Sequence, residues 1–283
     1  MRAPAGALFL FLATAASSLA AGPSVPPPDF GSPSPGDRAG GEAALGEFRR
    51  AVPDQCCYEF ELQARPRRGD THSVPGRLWA GRDDRGPAMR LVLNPGAPDE
   101  QRWLIQGGPQ PAAWSGAGAA AAQPASLFAP LFPGLEVTAF DLLPTLQPVY
   151  LYWPDETLLS VSRLNGRPTY VFLFRPPSVF AAAHPEIVGV RIYLDTQFKG
   201  PTRTELLGPG GVARTMTVND VKLMGEHPAI VKEVDLRNEA TRDTTRFEVR
   251  AAAVGLDLAP SLFTAEALTE AIAPPRADLM VNF

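Results

Sequence analysis

Residues 157–175, with the sequence TLLSVSRLNGRPTYVFLFR, decide how the second half of this chain folds. The pair Asn165-Gly166 stands between two runs rich in apolar and aromatic residues, and such a pair favours the tight turn of a β-hairpin. Similar short runs, separated by loops of turn-forming residues, follow at residues 188–194, 202–207, 213–221, 230–237 and 244–251. The loops are too short to hold crossover helices, so the sequence predicts antiparallel strands in series that form one large, strongly curved sheet.

The first half of the chain also favours strands. Residues 58–64 alternate strictly, with Tyr58, Phe60 and Leu62 on one face and polar side chains on the other. Further strand-like runs lie at residues 76–80, 88–93 and 101–106. Residues 107–124 are rich in Gly, Ala and Pro, and we interpret them as a long loop or insertion carrying Trp114.

The N-terminal region predicts export. Arg2 is followed by an apolar run at residues 8–12 and then by small residues around Ala20, the pattern of a secretory signal peptide. No later run reaches the roughly 18 apolar residues of a membrane-spanning helix, so we expect a soluble periplasmic protein. We expect a signal peptide at 1–21, followed by a disordered Pro/Gly/Ser-rich tether at 22–41. One domain would then occupy 42–273 and begin with a helix at 42–52. The last residues, 274–283, would form a C-terminal tail.

The composition argues against several kinds of chemistry. With 26 Lys+Arg and 30 Asp+Glu the formal charge is −4, which provides no broad positive surface for nucleic acid. Three histidines and two cysteines offer few metal ligands, and the sequence contains no phosphate-binding loop, nucleophile elbow or paired-histidine zinc motif. We therefore expect no enzyme, no cofactor and no metal. Asp141 has no acidic partner nearby, so we expect it to cap a helix or to lie at the edge of the packing, and not to act in acid–base catalysis.

The adjacent cysteines, Cys56 and Cys57, stand at the start of a predicted strand. Successive side chains of a strand point to opposite faces, and a disulfide between neighbours closes only a strained ring. We expect two half-buried thiols, with a vicinal disulfide as the alternative.

A series of short motifs in the C-terminal half resembles a known family. These are VRIYLD (190–195), GPTRTE (200–205), VNDV (218–221), GEHP (225–228), VDLRN (234–238), TTRFEV (244–249) and SLFTAEAL (261–268), with TAFDLL (138–143) and LNGRPTY (164–170) upstream. In this order they are similar to the outer-membrane lipoprotein-sorting proteins, whose fold is that of the LolA/LolB lipoprotein carriers. The resemblance covers about residues 135–268.

The resemblance implies a fold and a function. The fold is α+β, mostly β: a strongly curved antiparallel sheet, or incomplete β-barrel, closed by short helices. The implied function is that of a monomeric, non-enzymatic periplasmic carrier or binding protein, which holds the acyl chains of lipid or lipid-modified protein in an apolar half-barrel and works with an envelope membrane-protein partner. Tyr170, Phe172 and Phe174, on a strand that is apolar on both faces, would line that cavity or belong to ordinary core.

Two short segments are candidates for lids over the cavity. Residues 126–132 and 137–143 are predicted helical turns broken by Pro130, Pro133 and Pro144, so they would be weakly self-supporting. Their contacting groups would be Leu127, Phe128, Leu131, Phe132, Leu142 and Leu143. They could instead fill the interior permanently. The alternative function is then an envelope structural or interaction protein whose curved sheet docks another protein.

Overall fold

The structure, a computed structural model, describes residues 32–51, 55–142, 148–164, 166–197, 200–224 and 227–283. The predicted signal peptide, the first part of the predicted tether (residues 22–31) and Leu143 lie outside the described residues.

Fourteen strands in the described part of the chain form one antiparallel sheet. They are β1 (Cys56–Arg65), β2 (His72–Asp83), β3 (Gly86–Leu93), β4 (Gln101–Gln106), β5 (Ala112–Ala117), β6 (Gln123–Ala125), β7 (Asp155–Leu164), β8 (Arg167–Arg175), β9 (Gly189–Asp195), β10 (Pro201–Gly208), β11 (Gly211–Met224), β12 (His227–Asn238), β13 (Thr244–Val254) and β14 (Val281–Asn282). The α-helices are α1 (Pro35–Arg50), α2 (Ala139–Leu142) and α3 (Ser178–Ala183), and 3₁₀ turns lie at Val149–Tyr152, Pro260–Phe263, Glu266–Thr269 and Ala277–Leu279.

The strand order is β6-β5-β4-β3-β2-β1-β13-β12-β11-β10-β9-β8-β7, and β14 pairs with β13. The first strand and the last long strand are therefore central neighbours, paired from Cys56 opposite Val254 to Arg65 opposite Thr244 with one register shift between Glu59 and Phe60. The sheet does not close, because β6 and β7 are its two edges. The predicted mostly β, open and antiparallel architecture is confirmed.

The predicted hairpin at residues 157–175 is strands β7 and β8. Leu164 pairs with Arg167, and Gly166 adopts a φ of 80°, which a residue with a side chain rarely adopts. Asn165 lies outside the described residues. On β8 the buried Val171 faces away from Phe172 and Phe174, so both faces of this strand are covered, as its sequence predicted.

The Gly/Ala/Pro-rich segment does not form the loop that the sequence predicted. It contributes β5 and β6, with Leu104 of β4 opposite Trp114 and Trp103 opposite Ser115. Small residues with little strand preference are held here by the ladder to β4, so tertiary pairing overrides local propensity.

Helix α1 begins at Pro35, earlier than predicted, and therefore takes the end of the segment expected to be a tether. Ser34 and Asp37 form a reciprocal cap: the Ser34 hydroxyl accepts from the Asp37 amide at 3.2 Å, and the Ser34 amide donates to the Asp37 carboxylate at 2.9 Å. The helix lies against β7 and β8, where Gly41 meets Leu158 and Phe172.

The C-terminal residues cover the face of the sheet that points away from the interior cluster. Phe263 and Leu268 form a buried cluster with Trp79, Val92 and Leu104. Two buried arginines hold the backbone of this segment: Arg102 donates to the Leu268 carbonyl at 2.9 Å, and Arg90 donates to the Glu270 carbonyl. We call residues 256–272 the C-terminal strap. Because of it, the sheet around β2–β4 is buried on both faces.

Both cysteines are buried, neither forms a disulfide, and they point to opposite faces of the sheet. Cys56 belongs to the interior cluster and Cys57 to the cluster under the C-terminal strap. Burial raises the pKa of the Cys57 thiol to about 12. The expectation of two thiols is confirmed and the alternative of a vicinal disulfide is wrong, but the thiols are fully buried and not half-buried, because clusters of apolar side chains cover both faces of the strand at this point.

We expect neither thiol to react in the native protein at pH 8, because both are buried and Cys57 remains protonated at that pH. Titration with a chromogenic thiol reagent should detect no fast-reacting thiol in native protein and two after denaturation. Fewer than two after denaturation would contradict the structure.

We expect Gly41→Val to weaken the contact between α1 and the sheet. A Cβ at this position would lie 3.0 Å from Leu158 and 3.3 Å from the Phe172 ring, so the free energy of unfolding should fall by about 1–3 kcal/mol. The matched control is Gly36→Ala on the same helix, whose Cβ would meet nothing closer than 3.9 Å. Urea denaturation measures both, and equal effects would contradict this packing.

Candidate functional site

The connection between the two edges of the sheet fills its interior. We call residues 126–154, which run from the end of β6 to the start of β7, the crossing segment. Its described part has little regular structure, with α2 and one 3₁₀ turn as its helical elements. It contributes ten large buried side chains to the interior cluster: Leu131, Phe132, Leu135, Val137, Phe140, Leu142, Val149, Tyr150, Leu151 and Trp153.

The predicted lid residues lie on this segment at different depths. Leu131, Phe132 and Leu142 are buried in the interior, whereas Leu127 and Phe128 are half-buried at its rim. Phe128 stacks on Phe140 at 4.8 Å between ring centroids. Residues 126–132 form turns and a bridge between Pro130 and Thr138, so the helical turn expected there is absent. The prolines and the pairing with residue 138 favour a tight backbone loop over a helix.

The three aromatic residues of β8 face the same interior but lie under cover. Tyr170 and Phe172 contact Gly40 and Gly41 of α1, and the Phe174 ring lies 5.7 Å from that of Tyr150. Phe172 and Phe174 are fully buried and Tyr170 is half-buried. Helix α1 and the crossing segment therefore stand where an acyl chain against β8 would lie.

A cavity of about 40 Å³ remains between the crossing segment and the strands β10–β13. This is space for a few water-sized groups and not for an acyl chain, since ligand pockets usually span about 300–1,000 Å³. Apolar side chains line one side of the cavity, and polar side chains line the rim on the other side. The lining residues are Glu136, Val137, Phe140, Asp141, Tyr150, Val190, Thr204, Leu206, Arg214, Thr215, Met216, Leu236, Arg237, Asn238, Asp243 and Thr245.

An ion pair at this rim ties the crossing segment to the sheet. The Asp141 carboxylate caps α2 by accepting from the amide and the hydroxyl of Thr138 at 2.9 and 2.7 Å, and the same oxygen accepts from Arg214 of β11. Burial raises the pKa of Asp141, and Arg214 and Thr138 offset part of that rise. The predicted capping role is confirmed, whereas the partnership with Arg214 was not predicted from sequence. We call this pair the latch.

Three further contacts hold the crossing segment. The Trp103 indole donates to the Leu131 carbonyl at 2.8 Å, and Arg49 of α1 donates to the Leu151 carbonyl at 3.0 Å. At the exposed rim, Asn238 donates to Glu136 at 2.8 Å. These bonds join a strand, a helix and a hairpin to one weakly structured segment.

Two buried hydroxyls lie in the wall of the cavity. Tyr150 and Thr204 are both more than nine-tenths buried, and the Thr204 hydroxyl is the hydrogen-bonding neighbour of the Tyr150 hydroxyl. Desolvation raises the pKa of Tyr150, and the nearby Thr204 offsets this rise only in part. Tyr150 therefore remains a protonated donor at neutral pH.

Other kinds of site find little support among the described residues. They contain no group of three His, Cys, Asp or Glu side chains that could hold a metal ion. No described helix has the length and apolar character needed to cross a membrane.

Comparison with solved structures identifies the fold. A domain of an outer-membrane lipoprotein-sorting protein from Vibrio parahaemolyticus superposes with a TM-score of 0.69 at 15% identity, covering 83% of this chain and all of that one. A DUF1329 family protein from Desulfovibrio piger gives 0.67 at 12% identity, covering 84% and 100%. A LolA superfamily protein from Nitrosomonas europaea gives 0.60 at 11% identity, covering 79% and 97%.

The chain has the LolA-like fold. No protein-family model matches the sequence, and no curated protein is a detectable sequence relative. At these identities the likeness is one of architecture, and it confirms at that level the resemblance carried by the C-terminal motifs. Within the LolA-like fold of this chain, the candidate site is the interior face of the sheet together with the crossing segment that occupies it.

We expect loss of the latch to loosen the crossing segment. Asp141→Ala removes the α2 cap and leaves Arg214 without this partner, so the amides of residues 131–142 should exchange with solvent at least about tenfold faster, as for a loss of about 1.4 kcal/mol. Hydrogen-exchange mass spectrometry measures this. The control is Asn238→Ala, which removes the exposed bond to Glu136 and should have a much smaller effect. Unchanged exchange in Asp141→Ala would show that the latch does not hold the segment.

Proposed function

We propose that this chain is a non-enzymatic periplasmic carrier or binding protein for lipid or lipid-modified protein. Acyl chains would occupy the interior of the half-barrel after the crossing segment moves aside, with Leu127, Phe128, Leu131, Phe132, Leu142 and Leu143 as lid contacts. The observation that carries the proposal is that the interior is filled by a weakly structured connection and not by the strands alone.

The crossing segment suits such an exchange because its stability depends on docking. Residues 126–142 contain one four-residue helix, and short helices are marginal without tertiary contacts. Segments of low local stability are the ones that open in ligand-binding proteins. Movement of this segment would expose Phe174, which lies against Tyr150, and the apolar side of the cavity.

The free energy gained when the interior buries an acyl chain is comparable to that gained when it buries side chains of the crossing segment. An acyl chain of about 16 carbons gains about 12 kcal/mol when it is wholly removed from water. Burial of one large apolar side chain gives about 1.5–3 kcal/mol, so the six large buried side chains of residues 131–142 together give about 9–18 kcal/mol. Because these two free energies are similar, a bound acyl chain could also be released, as a carrier requires.

We expect the protein to bind an apolar, chain-like fluorophore such as diphenylhexatriene with saturation at micromolar protein. Leu206→Trp places a larger ring at the cavity wall and should weaken this binding at least about tenfold. The control, Val161→Trp, lies on the edge strand β7 at a position 39% exposed and should bind normally.

The same experiment tests the movement of the crossing segment. Saturation with the fluorophore should speed hydrogen exchange in residues 131–142, because the segment must leave the interior. Absence of saturable binding, or binding without any change in this exchange, would contradict carriage by displacement.

A second candidate function is favoured by the small cavity. An interior that contains a cavity of only about 40 Å³ also suits an envelope interaction protein. The sheet of such a protein would dock another protein, and its core would remain permanently filled. In that case diphenylhexatriene should not bind, and affinity capture from the native envelope should recover a stoichiometric protein partner and no lipid. Mass spectrometry of the co-purified material distinguishes the two.

A further inference from the structure

A gap between two strands in the middle of the sheet is filled by residues 281–283. We propose that this gap is a docking site for an extended segment of a partner protein, which displaces residues 281–283 and presents an apolar, a polar and an aromatic side chain in that order. This inference goes beyond the proposed function, because it does not depend on whether the interior carries lipid.

The gap arises where two neighbouring strands separate. Among the described residues, β12 pairs with β13 only as far as Glu233 opposite Glu248, although β13 continues to Val254. The pairing of β13 with β1 shifts register at the same place and leaves Arg250 as an extra residue on β13. Such a bulge bends and twists its strand, so β13 turns away from β12. Residues 249–254 therefore present a strand edge inside the sheet.

The other side of the gap is the free part of the β11–β12 hairpin. Within the described part of the chain, residues 219–224 and 227–232 pair with the opposite strand of this hairpin and with no further strand. Lys222 of this hairpin places its ammonium group 5.8 Å from the centroid of the Phe283 ring. The gap thus has the edge of β13 on one side and a hairpin with a cation on the other.

Strand β14 occupies this edge with few contacts. Val281 pairs with Ala252 in the ladder. The Phe283 amide donates to the Arg250 carbonyl at 2.9 Å. The side chains of Val281 and Asn282 are exposed, whereas Phe283 packs against the interior cluster. A two-residue strand with exposed side chains has low local stability, so a competing strand can replace it.

The edge has room for a longer strand than β14. Extension of the β14 ladder would reach Ala253 and Val254, but the chain leaves the ladder at the 3₁₀ turn Ala277–Leu279. Three consecutive alanines, residues 251–253, form this edge, and their short side chains leave space for larger side chains on an incoming strand. A segment paired along all of residues 249–254 would therefore make more ladder bonds than β14 makes.

The resident strand indicates which side chains the site accepts. Val281 lies opposite Ala252, which belongs to the interior cluster, and Phe283 packs against the same cluster. Asn282, between them, faces the other side of the sheet. A partner segment therefore needs an apolar, a polar and an aromatic residue in succession. The Lys222 ammonium favours an aromatic ring over an aliphatic side chain at the third position.

The test compares the full-length wild type with the full-length variant Val281→Pro. Hydrogen-bonded pairs alternate along an antiparallel ladder, so the Val281 amide points to β13 as the Phe283 amide does. Proline has no amide hydrogen to donate and should unseat β14, and the core should be unaffected because Val281 is 48% exposed.

The probe is a fluorescein-labelled synthetic peptide, TIVNFT. It keeps the Val-Asn-Phe of residues 281–283 and has strand-forming residues where the chain turns away. An occupied site lowers the apparent affinity by the fraction of time for which the site is empty. Fluorescence anisotropy should therefore show saturable binding to Val281→Pro at micromolar protein, and at least about tenfold weaker binding to the wild type.

The controls separate the backbone contribution from that of the aromatic ring. Val281→Thr keeps the amide and the strand preference, so it should bind the peptide as the wild type does. Two further peptides, one with alanine for phenylalanine and one N-methylated at valine, should each bind Val281→Pro at least about tenfold more weakly than TIVNFT. Saturating TIVNFT should slow hydrogen exchange at residues 249–254 and leave the edge strand β7 unchanged.

Several outcomes would overturn the inference. These are no saturable binding to Val281→Pro, equal binding to the wild type and Val281→Pro, equal binding of all three peptides, and protection of β7 in place of residues 249–254. A thermal unfolding midpoint that falls by several degrees in Val281→Pro would show that β14 stabilises the sheet permanently, which also overturns displacement by a partner.

A second copy of the chain is the alternative occupant. Sedimentation velocity should show the wild type as a monomer at the concentrations of the peptide assay. A dimer that disappears in Val281→Pro would show exchange of residues 281–283 between copies and would overturn docking of a different protein. None of these results bears on diphenylhexatriene binding, so failure of this inference leaves the proposed function unaffected.

Discussion

The structure depends on one constraint: a curved sheet with two free edges must cover its own apolar interior. The strands β6 and β7 are those edges, and the chain passes from one to the other through the crossing segment. The crossing segment therefore connects the two edges of the sheet, and its described part also shields the apolar interior from water. The described residues of this segment bury much of the apolar face of the sheet.

Much of the fold could be predicted from sequence because strands with one buried face alternate. Residues 58–64 carried this signal, whereas the hairpin at residues 157–175 was indicated by an Asn-Gly pair between two apolar runs, and the structure has strands at both places. The small residues of β5 carry no such signal, since only pairing with β4 holds them in a ladder. The early start of α1 was missed because its Pro and Gly content resembles a linker, although Ser34 and Asp37 supplied a cap.

The candidate site was less accessible to sequence reasoning. Apolar residues of the crossing segment were recognisable as contacts with the interior, but their periodicity cannot distinguish a fixed core from a displaceable one. The latch joins Asp141 to a residue 73 positions away, and the neighbouring Tyr150 and Thr204 lie on separate elements. Contacts between side chains so far apart in the chain have no local sequence signature, because they form only in the folded surroundings.

Because β1 pairs with β13 in the middle of the sheet, the middle of the sheet can form only after both strands have been synthesised. Residues near position 59 find their partners near position 251, so most of the chain must leave the ribosome before the middle of the sheet can zip together. Such long-range pairing makes folding slow and leaves strand edges unprotected meanwhile. Until the middle of the sheet has formed, these edges can pair with other chains, so chaperones that shield unpaired strands would favour correct assembly.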